Sequence, residues 1–153
     1  MSKNKLTTLA IAIVLALFGY NQLDIVAPDA DPGIASPNAI PSGAAQDLLE
    51  AFQNQISDLQ ISGEGRVVRV LSDDNNGSRH QRFLLETNLN QTILVAHNID
   101  LAPRIDNLRS GDTVAFYGEY EYNNKGGVIH WTHHDPANRH PHGWLKHEGR
   151  TYQ

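Results

Sequence analysis

Six of the eight histidines in this chain fall within one run, HWTHHDPANRHPHGWLKH, between His130 and His147. Imidazole binds transition metals and exchanges protons near neutral pH. Asp135, Trp131 and Trp144 lie in the same run. That density exceeds what a solvated loop requires, and it points to a metal or acid–base site near the C-terminus. The chain has no cysteine, which excludes a disulfide framework, a thiolate metal site and a cysteine nucleophile. Any metal must be held by imidazole and oxygen, a donor set that suits a divalent ion such as zinc or another first-row transition metal.

Strand geometry narrows the ligand set. If Val128–His133 is extended and the pattern continues, His130 and His134 share one face, while Trp131 and His133 take the other. Asp135 then completes a two-histidine, one-carboxylate set or orients a ligand from behind. The spacing H-x-x-H-H-D matches no standard helical zinc motif. His80 and His97 begin and end two short strands joined at Asn88–Asn90. Their similar lengths bring both histidines to one end of a hairpin, where either is an outside contributor to the site. The alternative for this pair is a hydrogen-bonded trim of the barrel rim. Arg82 and Arg104, expected near the same end, offer planar forks for an anionic ligand. Tyr120, with Tyr117, Tyr122 and Trp131, offers aromatic faces for stacking a base or a sugar, although tyrosine is also simply a good strand former. His142 and His147 are further candidate ligands.

These residues need rigid elements to place them. Ala44–Ile61 spaces Leu48, Leu49, Phe52, Ile56 and Leu59 as one amphipathic helix. After it the period changes to two. Strands are expected over Gly63–Leu71, His80–Thr87, Gln91–His97, Thr113–Tyr122 and Val128–His133, with Asn76-Gly77 and Asn123–Gly127 as turns. Five short strands with one irregular connection after the third suit a mainly β fold, a small OB-like barrel. The tail keeps Trp144 and Tyr152 and is expected to fold back on the barrel.

The N-terminus carries a separate signal. Lys3 and Lys5 precede the uncharged apolar run from Leu6 to Tyr20, as in a secretory signal, but no A-x-A cleavage pattern follows. Residues 1–23 are therefore read as a signal anchor in the inner membrane or a cleaved signal peptide, 24–45 as a proline- and glycine-rich linker, and 46–153 as helix plus barrel. In either case the body lies outside the cytoplasm, facing the periplasm or secreted.

Charge and motifs exclude several classes. Up to Ile61 there are two Lys and six Asp/Glu; from Ser62 onward ten Lys/Arg face eleven Asp/Glu. The near-neutral body gives no bulk argument for nonspecific nucleic-acid binding. No G-x-S-x-G, H-E-x-x-H or phosphate-cradling loop is present, and the carboxylate cluster of an OB-type nuclease is not evident. The stretch from Gly63 to Gln153, through HQRF, LVAHNIDLAPR, GGVIHWTHHDP and HGW, resembles a bacterial family known only as a domain of unknown function. The resemblance implies an exported bacterial protein and assigns no catalytic residue. Two functions follow as expectations. One is an envelope-facing binding module with a His-rich metal site and a nucleic-acid or oligosaccharide ligand. The other is a metal-dependent hydrolase, a phosphodiesterase or nuclease.

Overall fold

The computed structural model describes residues 43–153. The expected signal or anchor segment, and all but the last residues of the linker, lie outside the described residues. Among the described residues no helix is long and apolar enough to cross a membrane.

The chain opens with α1 (Gly43–Gln53), followed by β1 (Leu59–Val70), β2 (His80–Glu86), β3 (Thr92–Asn98), β4 (Thr113–Glu121), β5 (Val128–His130), β6 (Trp144–His147) and β7 (Arg150–Tyr152). Leu48 and Ala51 of α1 are buried in the barrel core. The helix is shorter than the apolar spacing suggested, because Gln55 and Asp58 take left-handed backbone angles and turn the chain out of it. Leu59 and Ile61 then serve β1, not the helix. The competing pull is visible in the ladder, which runs from Leu59↔Tyr120 to Arg66↔Thr113.

The strands pair in the order β1-β2-β3-β5-β4, and β4 returns to β1 to close a five-stranded barrel. β1 serves two neighbours: its first part pairs with β4, and its last residues pair with β2. A register shift between Val67 and Arg69 adds the bend that such a change of partner needs. β3 and β5 are parallel, while the other pairings are antiparallel. This order is that of an OB-like barrel. Burial alternates along β2, β3 and β4. The inward set, including Phe83, Leu85, Ile93, Val95, Val114, Phe116, Tyr120 and Ile129, forms one core. Each such side chain contributes about 1.5–3 kcal/mol of burial free energy.

The tail does return to the barrel. β6 pairs with β4 from Val114↔His147 to Tyr117↔Trp144, and β7 folds back on β6. β5 pairs with the other half of β4, from Glu119↔His130 to Glu121↔Val128. With β1 along the opposite edge of β4, β5 and β6 act as two pieces of one interrupted strand. The histidine-rich loop is the excursion between them.

Candidate functional site

The outer face of β4 and β5 brings together Glu119, Glu121 and His130, each contributing one ligand atom within 4.8 Å of the others. The hairpin that joins the two strands sets this register. Asn123 Oδ1 accepts the Lys125 and Gly127 amides at 2.9 and 3.2 Å. Gly127 has φ 93°, and a side chain there would strike the Tyr120 ring. The turn therefore holds Glu119 opposite His130. Period-two alternation puts Glu121 on the same face as Glu119.

His130 Nε2 stands 3.3 Å from Glu119 Oε1. The direction is too poor for a hydrogen bond, and the nitrogen is buried without a partner. Burial lowers the His130 pKa despite Glu119 and Glu121 beside it, so the ring is neutral at pH 7 and keeps a lone pair. Donors bound at about 2.1 Å to a common ion lie at most about 4.2 Å apart. The observed group needs only small side-chain adjustments to reach that geometry. These three residues could hold a divalent metal.

His140 returns from the excursion to the same carboxylate. Its Nε2 bonds Glu119 Oε2 at 2.5 Å, and its Nδ1 donates to Pro141 O at 2.9 Å. Both partners accept, which requires an imidazolium. Partial burial opposes the charge, but Glu119 and the Pro141 carbonyl raise the pKa above the ordinary value. The ring stacks on Trp131 with centroids 4.1 Å apart and planes 13° apart. His140 thus orients Glu119 from behind.

Asp135 builds the excursion. Its carboxylate accepts the backbone N–H groups of Ala137, Arg139 and His140 at 2.7 to 2.9 Å. The Ala137 and Arg139 amides hold its pKa below the usual carboxylate range. Gly143 pins the other end: a Cβ there would collide with the Trp131 and Tyr117 carbonyls, and its N–H donates to His133 O at 3.0 Å.

The expected site residues are divided by this geometry. β5 ends at His130, and Trp131 has φ 51°, so extended geometry does not carry His134 onto the His130 face. His134 instead meets the His142 ring edge-on at 4.6 Å. His142 Nδ1 accepts the Asp135 N–H, which leaves its proton on Nε2 and no free lone pair on the ring. His80 and His97 do lie at one end of the β2–β3 hairpin, paired with Asn98 and Gln81 respectively. Neighbouring register positions place them on opposite faces of the sheet. His97 is fully buried, with Nδ1 at 2.8 Å from Thr132 Oγ1 and Nε2 donating to Pro103 O at 3.1 Å. Burial lowers its pKa to about 4. It is a satisfied core histidine. Tyr120 is also fully buried, and its hydroxyl donates to Gly126 O, so its ring offers no stacking face. Arg104 is committed to Asp73 through Nε at 3.0 Å and Nη2 at 3.3 Å, stapling the β1–β2 turn to the β3–β4 connection. His147 is buried against Asp112 at 3.0 Å, toward the other end of β4.

His80 and Arg82 do face the new cluster. A cleft of about 370 Å³ is lined by Asp74, His80, Arg82, Leu94, Ala96, Glu121, Val128 and His130. Glu119 and Glu121 are not among the residues expected from the sequence, because the histidine density lies downstream of them. Their signal was present in Y-x-E-x-E along β4, whose alternate positions face outward and whose hairpin register points at His130.

Fold and site together define a small OB-like barrel protein with an imidazole–carboxylate cluster on its outer face. The chain belongs to the family described as Protein of unknown function (DUF3465), whose model matches residues 35–153. No curated protein matches the chain.

Proposed function

We propose that the protein is an envelope-facing binding module whose barrel holds one divalent metal through Glu119, Glu121 and His130. The observation that carries this reading is the buried, unbonded His130 Nε2 beside two carboxylates of fixed register. Two carboxylates and one imidazole suit zinc, manganese or cobalt better than a soft ion. Three protein donors leave coordination positions for a ligand from the cleft. The envelope assignment is supported by the apolar run after Lys3 and Lys5 and by the proline-rich tether that follows.

Calorimetric titration of the full-length protein with Zn²⁺ or Mn²⁺ tests the reading. One ion per chain is expected, with Glu121→Gln and His130→Ala each weakening uptake at least tenfold while the circular dichroism stays that of a barrel. Unchanged affinity in both variants contradicts it.

A further inference from the structure

The cleft beside the metal cluster has a chemical character of its own. Its floor is apolar, made by Leu94 and Ala96 of β3 and Val128 of β5. Arg82 stands on one rim, opposite Glu121 and His130. The Arg82 Nε and Nη2 donate to Ser72 O at 3.1 Å. That leaves Nη1, whose closest acid is Asp74 Oδ2 at 3.9 Å, outside hydrogen-bond range. Among the described residues Nη1 makes no hydrogen bond and only a long ion pair with Asp74, so its N–H donors can serve an oxyanion in the cleft that Arg82 lines. The Ser72 carbonyl meanwhile fixes the guanidinium plane. His80 is held in the same way. Its Nδ1 donates to Ser78 O at 2.8 Å, leaving a lone pair on Nε2 beside Arg82, on the same β2 side of the cleft.

The charge balance of this region depends on the metal. Among the described residues the cleft and the cluster beside it set three carboxylates, Asp74, Glu119 and Glu121, against the Arg82 guanidinium, so without an ion the region repels anions. A divalent cation offsets that excess of carboxylate charge, and inside a cleft the difference counts for more than in open water. An oxyanion therefore gains a direct metal bond and the Nη1 donors of Arg82, and escapes the carboxylate repulsion, but only once the ion is bound. A hydroxyl or metal-bound water beside that oxyanion can donate to His80 Nε2.

We propose that the cleft binds a small oxyanion, a carboxylate or a phosphate monoester, carried on a compact apolar body. Its head group completes the metal coordination and meets Arg82, while its body lies on Leu94, Ala96 and Val128. This inference rests on the metal reading above. It adds obligatory coupling: each ligand strengthens the other by the same factor.

The test is calorimetric titration of the full-length protein with phenyl phosphate, methyl phosphate and benzoate, before and after loading with Mn²⁺. The loaded protein is expected to bind phenyl phosphate about tenfold more tightly than methyl phosphate, because the ring covers the apolar floor. The protein without Mn²⁺ is expected to bind none of the three. The tighter of phenyl phosphate and benzoate identifies the head group as phosphate or carboxylate. Arg82→Gln should weaken the oxyanion about tenfold while Mn²⁺ uptake is retained, and Leu94→Ala should reduce the preference for phenyl over methyl. Mn²⁺ uptake with no oxyanion binding, or equal binding with and without Mn²⁺, overturns this inference alone. No Mn²⁺ uptake overturns both readings.

Discussion

His97 shows how one residue type divides between structure and chemistry. Its ring is enclosed and both nitrogens are bonded, whereas His130 keeps a buried nitrogen with no partner. The difference has a measurable consequence. The folded-state pKa of His97 lies near 4 against an ordinary value of 6.5, so the unfolded chain binds the extra proton between those values. Stability contributed by the neutral ring is fully present above pH 6.5 and is lost as pH falls toward 4, a change of up to about 3 kcal/mol. Carboxylates such as Asp112 and Asp135, with lowered pKa values, act only in a more acidic window. His140 has the opposite sign, its stabilisation being lost as pH rises through its raised pKa. Urea denaturation at pH 7.5 and 4.5 should therefore show the wild type losing much more stability than His97→Gln. Equal losses in the two proteins would remove the assignment.

At the scale of elements, β5 and β6 share one edge of β4, and the loop between them delivers His140 to Glu119. Gly143 is the point where this excursion rejoins the barrel, pressed against the Trp131 and Tyr117 carbonyls. Gly143→Ala should cost about 2 kcal/mol or more, since backbone has to move. It should also shift the Trp131 emission as the stack on His140 loosens. A wild-type melting temperature and spectrum would show that the loop is not pinned there. The barrel itself was legible from alternating hydrophobicity and turn residues. The strand bounds followed for β2 to β4, because period two and the Asn-rich turns agree with the final ladder. The helix end was not, since Leu59 and Ile61 fit a helical stripe and a strand equally well until β4 supplies a partner. The site was only partly legible. His130, His80 and Arg82, singled out in the sequence, line one cleft, but the positive φ of Trp131 broke the extrapolation to His134. Asp135 looked like a ligand because its role as an acceptor of backbone amides is set by the loop, not by residue type.

For the whole molecule, the barrel and the N-terminal run pose separate questions. In the proposed envelope-facing arrangement the domain would present its cleft to small solutes, and the near-neutral body does not steer large polyanions toward it. Protease added to spheroplasts should release the barrel domain, while intact cells should protect it. Recovery of the full-length protein in the cytosolic fraction would place it elsewhere.

The proposed metal site lies between β4 and β5, not in the histidine-rich loop. Crystals of the protein grown with Co²⁺ and measured at the cobalt edge test it most directly. An anomalous peak within about 2.2 Å of donor atoms from Glu119, Glu121 and His130 is the result predicted here. A peak between His134 and His142, with none at the β4–β5 carboxylates, would contradict the account.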